Sequence, residues 1–401
     1  LEKNNTKILK LANKYLVLQC ITTYEPVAVE DIVKRTNLSR PTVINSVKEL
    51  TEENVIMKGG RAESTGGRTA ALLTTNADAY YAVGADFEFP QVRMAIANLK
   101  GTILASRHFD YPLESSAEEI IRDLPERIHS FIQQSAVDMS KIEGLGLGIP
   151  GVVDVNSGSS KYIERIQGWR NVDIKKALED KLGIPVYIRN DVHLMGLVEK
   201  RFYMPGQDED FIYIGLRSGI GSAIFIDNDI YEGNNGNAGF IGHMILDVNG
   251  PRGFGGPKGC LNVFAGELSL IQKYKEAKAL TDQLFPAEEQ GIRLEHLVQL
   301  AEEGDPVCRE ILTEAGKYIG TAIANMVEMF EIPNIIIGGC SNLEGSGLFM
   351  AIQETALEYL KYHIDNPVIT AGRLLEEEYP LGGCYLVFDH IFHKPQLNLQ
   401  V

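Results

Sequence analysis

The chain has 401 residues, with 38 Lys or Arg against 54 Asp or Glu and a formal net charge of −16, a length that allows two or three domains. Acidity of that size excludes a protein that coats nucleic acid along its whole surface, but it is unevenly spread. Residues 1–75 carry 11 basic and 8 acidic side chains, which leaves 27 basic and 46 acidic to the remainder. Only the N-terminal segment can therefore rest on a polyanion, and the body would be repelled from one. Five scattered cysteines, Cys20, Cys260, Cys308, Cys340 and Cys384, form no paired framework and suit a reducing compartment. No apolar run is long enough to span a bilayer and no signal peptide is read ahead of the first helix, so a cytoplasmic protein without a membrane partner is expected.

In chain order, residues 29–35 read as a short helix and Thr36-Asn37-Leu38 as a turn. A second helix follows, with Ser39 as its N-cap and Pro41 in its first turn, where a missing N–H costs little. Val43, Val47 and Leu50 share one face and are expected to pack inward. Ser39, Arg40, Thr42, Asn45, Ser46 and Lys48 are expected to meet base edges and phosphates. Residues 55–57 then read as a strand, 58–68 as a Gly-rich loop and 70–73 as a returning strand. Arg61 and Arg68 in that loop could lie along phosphates or in a minor groove. Two helices and a hairpin are common in any helical domain. Together, however, they predict a winged helix-turn-helix over residues 1–75 that binds double-stranded operator DNA.

Beyond a joint at residues 76–79, residues 80–86 and 92–99 read as strands. Lys100-Gly101 turns the chain into a third strand over 102–107. A helix is expected from about 117 to 135, with Ile120, Ile121, Leu124, Ile128 and Ile132 at helical spacing. A buried strand over 142–149 runs into Pro150-Gly151. Strands at 211–215, 221–226 and 335–337 repeat the pattern, the last ending in Gly338-Gly339. Recurring strand and helix units of this kind predict two related α/β lobes with a cleft between them.

The body carries Gly148-Ile149-Pro150-Gly151-Val152-Val153-Asp154, then Gly168-Trp169, Asn190-Asp191 and Gly239-Phe240-Ile241-Gly242-His243, with Gly259-Cys260 and Gly338-Gly339 after them. In order and spacing this set resembles the ROK family of repressors and sugar kinases, specifically its repressor branch, over nearly the whole chain. The resemblance implies an actin-like, ribonuclease H-like α/β body of two lobes behind the winged helix. Residues 76–190 with about 380–401 would form one lobe, and 191–379 the other. It also implies sugar in the cleft and a homodimer or higher homo-oligomer.

Departures from the family pattern sharpen the expectation. Its kinases carry Asp-x-Gly-Gly-Thr at the first hairpin, where glycines let the backbone wrap a phosphate. This chain has Asp86-Phe87-Glu88-Phe89-Pro90, and Arg217 replaces a glycine of the second phosphate loop. Phosphoryl transfer rests on positioning and charge stabilisation, so no catalytic residue is expected, although Asp191 matches the kinases' general base. The family zinc run, His followed by three cysteines, is reduced to His243 and Cys260, too few for a closed tetrahedral site. No metal or cofactor is expected. For the sugar pocket the resemblance implies Gly151, Asn190, Asp191, His243 and Asn262, with Asn190 and Asp191 expected to touch ligand. Phe240 and Asn262 replace glutamates, and Arg165 stands where asparagine is common. That exchange shifts the pocket from acidic towards basic, which would suit an acidic or phosphorylated sugar, although Arg165 could equally be an exposed loop residue. Trp169 is expected in the core. The resulting expectation is a sequence-specific repressor of carbohydrate metabolism that responds to a sugar-type effector. A sugar kinase with a regulatory N-terminus, or a regulator controlled by a protein partner, is the alternative.

Overall fold

The computed structural model describes residues 2–61, 71–207, 209–253, 256–279 and 292–392. A long helix, α1 (Glu2–Tyr24), leads into β1 (Val27–Ala28), α2 (Val29–Thr36) and α3 (Arg40–Glu52). Asn37 adopts the left-handed conformation that ends α2, and the Ser39 hydroxyl accepts from the Thr42 amide to cap α3. A hairpin of β2 (Ile56–Arg61) and β3 (Ala71–Thr75) follows, and β1 pairs with β3 to give the order β1-β3-β2. The first arm of the hairpin runs on through Lys58 to Arg61, beyond the strand expected at 55–57. Its tip, with Arg68, lies outside the described residues. Ile21, Ile32, Val43, Leu50, Val55 and Ile56 are fully buried between these elements.

The first lobe begins with β4 (Tyr81–Glu88), β5 (Gln91–Asn98), β6 (Ile103–Asp110), α4 (Ala117–Gln134) and β7 (Ile142–Ile149). Ser116 and Glu119 form a capping box at the start of α4, whose Ile120, Leu124, Ile128 and Ile132 are buried. A small sheet of β8 (Val152–Asp154), β9 (Ser159–Tyr162) and β10 (Arg170–Val172) comes next, then α5 (Ile174–Leu182), β11 (Val186–Asn190) and α6 (Asp191–Tyr203). The main sheet has the order β11-β7-β4-β5-β6, parallel from β11 to β4 and antiparallel beyond.

The second lobe contains β12 (Phe211–Leu216), β13 (Ile220–Ile226), β14 (Asp229–Ile230), α7 (Leu261–Ala265), α8 (Glu267–Ala279), α9 (Leu294–Glu302) and α10 (Pro306–Phe330). It is completed by β15 (Asn334–Gly338), α11 (Gly347–Leu360) and β16 (Val368–Ala371), with the sheet order β14-β13-β12-β15-β16. The last described helix, α12 (Leu381–Ile391), returns to the first lobe. It lies so close to β7 that a side chain at Gly146 would strike the Gly383 carbonyl at 2.0 Å.

Two helices join these parts. In α6, Asn190 and Asp191 stand at the N-terminal end, and Arg201 near the C-terminal end pairs with Asp389 of α12. Asp389 also accepts a hydrogen bond from Tyr15 of α1 at 3.0 Å. Around that contact Val17, Leu18 and Ile21 share a core with Leu99, Tyr385 and Phe388. On its other side α1 meets α3 through Lys10–Glu49 at 2.7 Å and Lys14–Glu53 at 2.6 Å. Among the described residues no helix is long and apolar enough to cross a membrane.

Candidate functional site

On α3, residues 43, 46 and 50 turn inward, as spacings of three and four dictate for 3.6 residues per turn. Ser46 is buried at 6 % exposure. That corrects the expectation that it meets DNA, because at i+3 from Val43 it shares the packed face while Val47 is only half-buried. Ser39 is occupied as the cap, and its hydroxyl also bonds that of Thr42 at 2.8 Å. Asn45 and Lys48 face solvent. Arg40 is also exposed and pairs with Glu30 at 2.9 Å. The outward face thus carries Arg40, Asn45 and Lys48, with Thr42 at its edge; Lys48 approaches Glu52 at 3.8 Å, and Ile44 is exposed as well.

A cavity of about 190 Å3 opens between the lobes. Gly151, Asn190, Asp191, His243 and Asn262, far apart in sequence, all line it, with Phe89, Arg165, His193, Arg217 and Phe240. Gly151 has a φ of +78°, and a Cβ there would meet the Tyr162 carbonyl at 2.5 Å. Asn190 serves the backbone. Its carboxamide oxygen accepts from the Val192 and His193 amides at the start of α6, and its nitrogen donates to the Gly151 carbonyl at 3.3 Å. Asn190 thus caps α6, since β11 delivers it directly to the orphan amides, and it also lines the cavity. Asn262 similarly accepts from the Ile220 amide at 2.9 Å. His193 donates from Nε2 to the Ala238 carbonyl at 2.8 Å, and burial pushes its pKa down to about 4. Burial also lowers His243. Trp169 is in the core, stacked on Phe87 and donating to the Ser160 hydroxyl at 2.8 Å.

The inner wall is dominated by Arg217, 2 % exposed. Its guanidinium grips Asp86 through both terminal nitrogens at 2.8 and 2.7 Å, Glu88 through Nε at 2.7 Å and Asp191 through Nη1 at 3.2 Å. Sequence reading noticed Arg217 only as a lost glycine. Its partners stand on the facing lobe, so nothing local to residue 217 announces the cluster. Burial alone would raise Glu88, but the Arg217 and Arg293 charges outweigh it and hold the carboxyl well below the usual range. Asp191 goes the other way. Burial, helped by Asp86 and Glu88, lifts it to about 6 against the pull of Arg217. Phe87 packs into the core, so the hairpin presents Glu88 to Arg217 and Phe89 to the cavity.

Arg165 is not an exposed loop residue. Its side chain, 24 % exposed, faces Glu267 at 3.8 Å. Glu267, which sequence reading passed over, is buried and accepts from Arg293 Nε at 3.1 Å and the Leu294 amide at 2.9 Å. The expected shift to a basic pocket is therefore corrected, because a buried carboxylate offsets the added arginine.

Cys260 is fully buried beside His243. Among the described residues no group of three or more His, Cys, Asp or Glu side chains could hold a metal ion.

A helix-turn-helix and a hairpin stand ahead of two α/β lobes with a cavity between them, an actin-like, sugar-kinase-type body. The chain belongs to the ROK family, which matches residues 83–389. It is 29 % identical to the xylose repressor of Caldicellulosiruptor bescii over 98 % of this chain and 99 % of that protein. With the xylose repressor of Bacillus subtilis the identity is 28 % over 95 % and 96 %. With the N-acetylglucosamine repressor of Escherichia coli it is 26 % over 84 % and 82 %. Among solved structures, a ROK family transcriptional regulator homologous to the E. coli MLC protein superposes with a TM-score of 0.79 at 22 % identity, covering 96 % of this chain and 97 % of that one. A ROK glucokinase from Streptomyces griseus gives 0.65 at 23 %, covering 76 % and 98 %. The shorter coverage by the kinase and the nearly full coverage by the regulator differ by about the length of the N-terminal module.

Proposed function

We propose that this chain is a cytoplasmic, sequence-specific DNA-binding repressor of carbohydrate metabolism, and that its kinase-like body binds a sugar without phosphorylating it. The observation that carries the reading is the Arg217 cluster. The carboxylate at the position of the kinases' general base is tied to a guanidinium, which also takes up Asp86 and Glu88 of the first hairpin. With its proton-accepting group engaged and the first hairpin lacking the glycines that wrap a phosphate, the cleft is suited to hold a ligand and unsuited to transfer a phosphoryl group. Gly151, Asn190, Asp191, His243 and Asn262 would line the sugar, and a metal would play no part. The full-length similarity to repressors supports operator DNA as the partner of Arg40, Thr42, Asn45 and Lys48, and Arg61 and Arg68 remain candidates from the sequence. Two modules linked in a homodimer would bind a palindrome far more tightly than one module, through effective concentration.

The names of the relatives make D-xylose the first sugar to try. Selection of genomic fragments with the intact protein should enrich a palindromic sequence, and sugar should release it. A coupled assay with ATP should detect no sugar-dependent ADP. Failure to enrich any sequence, or ADP release that disappears in Asp191→Asn, would overturn the reading.

A further inference from the structure

Several features of the cavity able to hold an anion are already engaged by the protein itself. Arg217 is surrounded by three carboxylates. The α6 amides of Val192 and His193, which as a helix N-terminus would attract a phosphate, are capped by the Asn190 oxygen. In the loop between β12 and β13, the Ser218 amide donates to Glu88 at 3.0 Å and the Ile220 amide to Asn262 at 2.9 Å. Burial disfavours the charged form of both His193 and His243. Arg165 remains, the one lining cation among the described residues that does not belong to the Arg217 cluster. Behind it lies Glu267, whose Oε1 is buried and makes no hydrogen bond, 3.8 Å from the Arg165 Nη1.

We propose that the cavity selects an uncharged sugar over its phosphorylated form, and that Glu267 sets this preference as a positioning residue by neutralising Arg165. The inference rests on the sugar-binding reading above and adds the charge class of the ligand and the residue that fixes it. An incoming phosphate would bring negative charge to a wall where each cation already has a buried carboxylate. It would also find the nearby amides taken, so its desolvation would go uncompensated. A polyol needs only hydroxyl partners, and Asp191 and the lining backbone supply them.

Calorimetry on the full chain tests this with three probes: D-xylose, D-xylose 5-phosphate and inorganic phosphate. Wild type should bind the free sugar, reject its phosphate ester and give no saturable heat with inorganic phosphate. Glu267→Gln releases Arg165 and should raise affinity for inorganic phosphate by about tenfold or more, the scale of one charge-assisted hydrogen bond. Adding Arg165→Ala should abolish that gain, and Glu267→Asp, which keeps the charge, should still reject phosphate. A residue with a purely structural role would not yield a gain of anion binding that a second substitution removes. Wild type that prefers the phosphate ester would overturn the proposal, as would folded Glu267→Gln with no gain. Should wild type bind neither sugar, the sugar-effector reading fails separately, while the inorganic phosphate arm still decides the role of Glu267. If Glu267→Gln does not fold, the wild-type comparison of sugar with its ester decides the charge class.

Discussion

Arg217 shows how one side chain can redirect a site. A guanidinium offers five donors in a fixed fork, which allows it to hold Asp86 bidentately while reaching Glu88 and Asp191. The carboxylates lie on the first lobe and at the start of α6, and the arginine follows β12, so the cluster also fastens the lobes together. Its ring of charges is closed by the Tyr379 face, 5.0 Å from the guanidinium carbon. Removing the cation leaves three buried carboxylates with only Arg293 beside Glu88 at 3.2 Å and Arg93 beside Asp86 at 3.5 Å as opposite charges, so Arg217→Ala should cost about 3–5 kcal/mol of stability, read from urea denaturation. Arg217→Lys should recover little, because a point-charge ammonium cannot bridge three acids. A loss below about 1 kcal/mol would mean that water reaches the cluster and screens it.

At the scale of elements, α3 separates the outward residues proposed to read DNA from residues that hold the helix in place. Asn45→Ala should reduce discrimination against mismatched operator fragments by about 1–3 kcal/mol, the worth of a bidentate base contact. Ser46→Ala, on the inward face, should leave that discrimination unchanged in the same competition assay. Equal effects from both would place the reading face elsewhere on the helix. Elements with strong local signals were legible in the chain. The strand at Ile142–Ile149 is a continuous apolar run, and α4 carries both a capping box and apolar residues at helical spacing. By contrast α1, 23 residues long, lacks a strong apolar stripe, because its partners are split among α2, α3, β3 and α12. Much of the cavity lining could be named from motif spacing, yet its charge could not. Arg217 finds Asp86 131 residues away, and Arg165 meets Glu267 across the cleft, pairings that exist only once both lobes are folded. Asn190 was legible as a site residue but not as a cap, since capping depends on where β11 delivers it.

Over the whole molecule, α6 begins at the cavity with Asp191 and ends at the joint where Arg201, Asp389 and Tyr15 meet, and α1 continues from there to α3. Tyr15→Phe keeps the ring and deletes the hydroxyl that reaches Asp389. It should leave DNA affinity in the absence of sugar nearly intact and reduce the sugar's effect on that affinity by about 1 kcal/mol, roughly fivefold, as measured by fluorescence anisotropy. An undiminished sugar effect would show that the joint is only a hinge. Two helices in series from one site to the other also set the two ligands in a mutual relation. Whatever factor sugar takes from the affinity for DNA, DNA must take from the affinity for sugar. The operator then acts as an antagonist of the cavity, and the sugar concentration that frees a promoter belongs to the pair of protein and sequence. Stronger operators would open later, so one repressor with one cavity could rank its promoters in order as sugar accumulates.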